Sequence, residues 1–196
     1  MKMLIVCEGE KTEPNYFRAL INDVPHSTIF TEIIGKGTSC CRLIRETIKI
    51  RNDYANDEES PLLFDEVWAV FDKDDNEDFN KAINFARENN IKCAWSNESF
   101  ELWYCLHFQF VSTNNGRSWY IHKINRIVRK LIGNVNFKYK KNSTDFYGIL
   151  QKYGDETKAI KWAELLDNRY ADINYAHHSP CTTVYTLVKR LRELRD

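Results

Sequence analysis

Two acidic signatures each close a hydrophobic run: residues 3–13 read MLIVCEGEKTE and residues 67–75 read VWAVFDKDD. A carboxylate at the point where a buried strand emerges into a turn is held rigidly by the backbone yet still meets water. Glu8, Asp72 and Asp74, placed so on adjacent strands, would offer hard oxygen donors to Mg²⁺ or Mn²⁺. Magnesium takes one or two carboxylates together with waters and substrate phosphates. Such an ion polarises a phosphoryl oxygen and stabilises charge on the attacking and leaving oxygens, with water as the nucleophile. Glu8 is the candidate proton carrier, because crowded carboxylates raise one another's pKa. Gly9 permits a tight turn after the strand, and Lys11 or Lys73 would offset charge in the transition state. Glu13 and Asp75 are further candidate metal donors, although a Glu in the first turn of a helix also answers to the helix dipole. Glu101 is a candidate catalytic residue, its functional and structural readings balanced, while His107, between Leu106 and Phe108, reads as a packed histidine.

For these carboxylates to meet, their strands must be neighbours. Residues 4–7 form a short apolar strand, and 13–21 read as a helix with Thr12 as cap, Pro14 in the first turn, and Tyr16, Phe17, Leu20 and Ile21 on one face. A strand at 29–34, a turn at 35–37 and a helix at 39–54 follow, the helix burying Leu43, Ile44, Thr47 and Ile48. The polar stretch 52–60 is a loop. The nearly continuous apolar run at 66–71 suits a strand covered on both faces. A helix at 76–89 leads to a fourth strand at 91–95. This alternation predicts an α/β fold with a mostly parallel four-stranded sheet, Rossmann-like, with right-handed crossovers and flanking helices. The carboxyl ends of such strands share one edge, where open sheets bind ligands. Beyond 95 the period is helical: Ser96 or Asn97 caps a helix to 108, and helices follow at 119–131, 144–153 and 156–170. Ser179-Pro180 opens a last one with the stripe Val184, Leu187, Val188, Leu191 and Leu194. We expect an α/β core over 1–110 and a helical, basic extension over 111–196 packed on it as a single compact unit.

Composition narrows the class. With 43% hydrophobic and 13% aromatic residues the 196-residue chain is not disordered, and no apolar run approaches the ~20 residues that cross a bilayer. The apolar stretch before Glu8 is too short for a secretion signal, so a cytoplasmic location without membrane attachment is expected. Cys7, Cys40, Cys41, Cys93, Cys105 and Cys181 contain no CxxC pair and read as reduced, buried small hydrophobes. His177 and His178 could join Cys181 at a metal, but adjacent histidines in a polar loop read as solvated.

The zero net charge conceals a separation. Residues 53–78 carry eleven acids against Lys73 alone, whereas 102–144 carry eight cations and no acid. An acidic edge that suits a metal and a basic region that suits phosphates fit an enzyme acting on a polyanion. Lys73, Arg117, Lys123, Arg126, Lys130, Lys138, Lys140 and Lys141 are the candidate nucleic-acid contacts, with Tyr139 as a stacking platform for an unpaired base. A solvated basic helix is the alternative. Trp119, Tyr120 and Phe137 read as core aromatics.

The Asp72-Lys73-Asp74 sequence has several parallels. In haloacid-dehalogenase-type phosphatases a DxD follows the first core strand, whereas here that strand ends in Glu8. A response-regulator receiver needs an acidic pair after its first strand, which Cys7-Glu8-Gly9 does not supply, and no Walker A loop occurs. Strand, Glu-Gly, then strand and Asp-x-Asp resembles a Toprim domain, with Val6-Cys7-Glu8-Gly9 and Val70-Phe71-Asp72-Lys73-Asp74 at the matching positions. IVCEGEKTEPNYF (5–17), SNESFELWYCLHF (96–108) and SPCTTVYTLV (179–188) together resemble the RloB family, a Toprim-related group. Glu98 and Ser179 depart from the family pattern, and neither removes a carboxylate. The resemblance implies a Mg²⁺-dependent endonuclease, acting on RNA, tRNA included, or DNA in bacterial anti-phage defence, beside a separately encoded ATPase. A non-catalytic scaffold that binds nucleic acid or the ATPase is the competing expectation, and homo-oligomerisation is left open.

Overall fold

A computed structural model describes residues 1–22, 28–33 and 39–194. The described elements run β1 (Lys2–Cys7), α1 (Thr12–Asn22), β2 (Thr28–Ile33), α2 (Cys40–Ala55), β3 (Glu66–Asp72), α3 (Phe79–Glu88), β4 (Lys92–Asn97), α4 (Glu101–Leu106), α5 (Gly116–Ile132), α6 (Phe146–Tyr153), α7 (Glu156–Asp167), β5 (Cys181–Thr182) and α8 (Val184–Glu193), with a 3₁₀ turn at Tyr175–His177. The predicted turn at 35–37 and the end of the predicted strand at Ile34 lie outside the described residues.

The strands form one mostly parallel sheet in the order β2-β1-β3-β4-β5. β1 to β4 are mutually parallel, and β5 runs antiparallel to the end of β4. The fold is therefore mixed α/β and Rossmann-like, with five strands where four were expected. The fifth escaped because Ser179-Pro180 carries the signature of a helix start. The chain instead pairs Cys181 and Thr182 with Asn97 and Ser96 before α8 begins at Val184. Hydroxyls strengthen the join: those of Ser96 and Thr182 lie 2.9 Å apart, and the backbone N–H of Trp95 donates to Thr183 Oγ1. Ser96 and Asn97 are thus buried strand residues and not the expected helix caps.

Alternation along the strands divides the core in two. Met3, Ile5, Cys7, Trp68 and Val70 face α1 and the helices from α4 to α8, whereas Leu4, Val6, Val67, Ala69 and Phe71 face α2 and α3. Placing α1 on one face and α2 on the other reverses the winding direction between β1 and β3, as right-handed crossovers require. The stripe of α8 is buried as expected at Val184, Leu187, Val188 and Leu191. Leu131, expected on the apolar side of α5, is exposed at the last turn. Among the described residues no helix is long and apolar enough to cross a membrane.

Candidate functional site

The winding reversal between β1 and β3 leaves a crevice outside their carboxyl ends, the place where open sheets take ligands. Glu8 follows directly on β1, its backbone N–H bonded to Val70 O at 2.9 Å. Asp72 is the last residue of β3 and keeps the phase of Trp68 and Val70, so it emerges on the α1 and α4 side, 8% exposed. Asp74 sits in the turn beyond at φ 42°, a left-handed conformation that Asp adopts more readily than most residues with a side chain.

Helices bring further charge to the same place. Glu13, in the first turn of α1, is buried with its carboxylate against Gly9, where a Cβ would lie 2.1 Å from Glu13 Oε2. Gly9 therefore serves the close approach of Glu13 and not the turn alone. Glu101, in the first turn of the fully buried α4, accepts a hydrogen bond from the Tyr139 hydroxyl at 3.2 Å and pairs with Lys141 Nζ at 3.7 Å. The Thr12 hydroxyl donates to Lys141 O, and Asn15 Nδ2 to Ser143 O, which fastens this segment to α1. Arg117, in the first turn of α5, places Nη2 3.3 Å from Asp72 Oδ2 and also on Asp74 Oδ1. Together Glu8, Gly9, Glu10, Lys11, Thr12, Glu13, Asp72, Asp74, Phe100, Glu101, Arg117 and Lys141 line a cleft of about 510 Å³.

Crowding acids in a partly dry cleft favours their protonated forms. Burial first, then Glu13 and Asp74, raises Glu8 to about 7, against the pull of a hydrogen bond from the Asp72 backbone and of Arg117. Glu13 also rises to about 7, chiefly through burial and then through Glu101. Asp72 is pushed well above the usual carboxylate range by burial, Glu13, Glu101 and Asp74, and Arg117 only partly offsets this. Among the described residues no three His, Cys, Asp or Glu side chains form a ready group for a metal ion. Asp72 Oδ1 is nonetheless buried without a hydrogen-bond partner among those residues.

A family model described as RloB-like protein matches residues 3–191. The chain belongs to the RloB-like family. The match runs from β1 into α8 and so includes every residue that lines the cleft. No curated protein and no solved structure matches the chain.

Of the candidate residues in this RloB-like chain, Glu8, Lys11, Glu13, Asp72, Asp74 and Glu101 come together, whereas Asp75 and Lys73 do not line the cleft. Asp75 is exposed, and Lys73 Nζ instead donates to Asp74 O at 2.9 Å. The basic candidates divide. Arg117 and Lys141 enter the acidic cleft, and Arg126, Lys130 and Lys138 line a separate groove of about 690 Å³ with His122, Asn125, Arg129, Val135 and Tyr139. Lys123 lies over the Trp119 ring at 5.3 Å, and Lys140 is exposed. Tyr139 is not the expected stacking platform: its ring packs in the core on Phe146 and Tyr104 at 4.9 and 6.0 Å. Apolar neighbours hold the ring and Glu101 takes the hydroxyl.

His107 is packed as expected, edge-on to Trp103 with Nδ1 3.0 Å from Trp103 O. His178 is buried and not solvated, stacked on Tyr170 at 4.4 Å with Nε2 on Asp172. The six cysteines are free, all buried but the half-buried Cys93. Sequence reasoning found Arg117 and Lys141 as cations but missed their place beside the carboxylates. Only the absence of acids through 102–144 hinted that these cations must find partners elsewhere in the chain.

Proposed function

We propose that this RloB-like chain is a Mg²⁺-dependent phosphodiesterase of Toprim type that cleaves nucleic acid, with Mn²⁺ as the alternative ion. The observation that carries this reading is the meeting of Glu8, Asp72 and Asp74 in one cleft at the switch between β1 and β3. The residues fit a hard divalent ion. Asp72 has a buried oxygen without a partner among the described residues, Glu8 and Asp74 line the same space, and magnesium needs only one or two protein carboxylates. Asp72, with Glu8 or Asp74, would hold it. Once bound, the ion supplies polarisation of the phosphoryl oxygen and charge stabilisation on the attacking and leaving oxygens.

The remaining steps belong to the chain. Glu8, with a pKa brought to about 7 by burial, is matched to taking a proton from water and returning it to the leaving oxygen. Arg117 and Lys141 put positive charge beside the place where negative charge develops. Lys11 stands exposed on the cleft lining, where an incoming phosphate would meet it. Glu101 acts on Lys141 and Tyr139, which makes it a positioning residue. The basic groove along α5 favours a polymer over a small ester: Tyr139 belongs both to its wall and, through Glu101, to the framework of the cleft. The family resemblance extends the proposal to anti-phage defence in the cytoplasm, beside a partner ATPase.

RNA and DNA oligonucleotides incubated with the protein in Mg²⁺, Mn²⁺ or EDTA test this directly. Cleavage is expected with either ion and not with EDTA, and Asp72→Asn and Glu8→Gln should each lower the rate by about 10²-fold or more. Equal cleavage in EDTA, or by Asp72→Asn, would remove the mechanism. One observation favours a second reading, a non-catalytic nucleic-acid-binding or ATPase-binding scaffold: Arg117 already pairs with both aspartates. Tight binding with no hydrolysis of any RNA or DNA, the ATPase supplied, would establish that reading instead.

A further inference from the structure

Arg117 follows Gly116, whose φ of +70° turns the chain into α5, and its side chain reaches back to the end of β3. Nη2 bridges Asp72 and Asp74, so one guanidinium occupies the position between two of the carboxylates proposed to hold a cation. Two polar atoms of this group are buried without partners among the described residues: Asp72 Oδ1, an acceptor, and Arg117 Nε, a donor. A buried acceptor is met by a donor or a cation and a buried donor by an acceptor such as a phosphate oxygen, and leaving either unmet is costly. Both demands arise in one contact pair within one cleft.

We infer that Arg117 is the resident counter-ion of the Asp72 and Asp74 pair and that a divalent cation arriving with a phosphodiester displaces it. Freed from the aspartates, its forked donors turn to the phosphate oxygens, including the bond that Nε lacks. The ligand of the cleft is then an ion pair of metal and phosphodiester, each component opening the place of the other. The consequence is positive coupling: phosphate tightens metal binding, and metal tightens phosphate binding. This inference rests on the metal-dependent reading above and goes beyond it by assigning Arg117 a competing and then a binding role.

The test is Mn²⁺ binding to the full chain, followed by electron paramagnetic resonance of the free ion, with and without dimethyl phosphate. In the wild type, dimethyl phosphate should tighten Mn²⁺ binding by about 5–150-fold. Arg117→Gln should bind Mn²⁺ several-fold more tightly in the absence of dimethyl phosphate and lose the enhancement. Arg117→Lys, which keeps the charge and serves as the second measurement should the neutral variant fail to fold, should retain the weak metal binding of the wild type but lose most of the enhancement. Unchanged Mn²⁺ affinity in Arg117→Gln with the coupling intact would overturn the inference while leaving the metal site standing. Absence of Mn²⁺ binding in wild type and variants alike would overturn the inference together with the reading beneath it.

Discussion

The Tyr139 hydroxyl donates to Glu101 Oε1 at 3.2 Å, which ties the basic segment after α5 to the floor of the acidic cleft. Tyr139 also lines the basic groove, so one side chain touches both charged regions of the molecule. The basic segment is therefore fastened to the acidic cleft by a buried hydrogen bond.

Removing that bond should be felt. Tyr139→Phe keeps the ring contacts with Phe146 and Tyr104 and deletes only the donor, leaving Glu101 to Lys141 alone. A loss of about 1–3 kcal/mol is expected in urea unfolding, the range for a buried acceptor deprived of a hydrogen-bond partner. An unchanged midpoint and slope would mean that the bond contributes nothing.

Gly9 and Glu13 should be coupled. Gly9→Ala forces a methyl group into the Glu13 carboxylate and should cost about 1–3 kcal/mol, as overpacking does. In a Glu13→Ala background the same substitution should cost far less. A double-mutant cycle measures this, and an additive result would refute the contact.

Stability should depend on pH through the cleft. Glu8 and Glu13 rise from an ordinary 4.5 to about 7 on folding, so between those values the folded state holds more protons than the unfolded chain. Their contribution to stability is then lost as pH rises through 7. His107 works in the opposite sense: burial lowers it to about 4, so its contribution grows from pH 4 to 6.5. The clean comparison is therefore the difference between wild type and Glu13→Gln in thermal melts from pH 5.5 to 8. The variant should gain stability relative to wild type as pH rises. Mg²⁺, which binds the ionised carboxylates, should stabilise the wild type more at pH 8 than at pH 6. A constant difference between the two proteins across this range would contradict the assignment.

The groove along α5 should bind nucleic acid in a salt-dependent way. Replacing Arg126, Lys130 and Lys138 together by Ala should reduce the slope of log affinity against log salt by about 2–3, through lost counterion release. Fluorescence anisotropy with a labelled oligonucleotide at several salt concentrations provides the measurement. An unaltered slope would mark the groove as merely solvated.

The parallel strands and the three strongest carboxylates were legible in the chain because apolar runs and the residues that end them are local features. Glu8 and Asp72 stand where the strands end, and a sheet edge collects strand ends whatever the rest of the fold does. What could not be read was pairing across distance. Arg117 lies 45 residues from Asp72, and nothing local distinguishes it from Arg126, which faces the groove. Tyr139 between two lysines looked like a surface aromatic, because the buried acceptor that draws it inward is Glu101, 38 residues earlier. The two-residue β5 was hidden for a similar reason: its strand character lies in the bonds of Thr182 to Trp95 O and Ser96 and not in its own sequence.

That small strand has a bearing on how the protein survives its own synthesis. Outside the two residues that β5 covers, β4 borders the sheet, and an unpaired border invites other chains to add to it. Lys92 guards the beginning of this border with an exposed charge, and Cys181 and Thr182 cover its end. A nascent polypeptide has the first of these protections as soon as β4 leaves the ribosome, but it gains the second only some 85 residues later. In that interval Ser96 and Asn97 lack their strand partners, and a chain truncated before residue 181, which loses the buried stripe of α8 as well, should aggregate more readily than the full-length one.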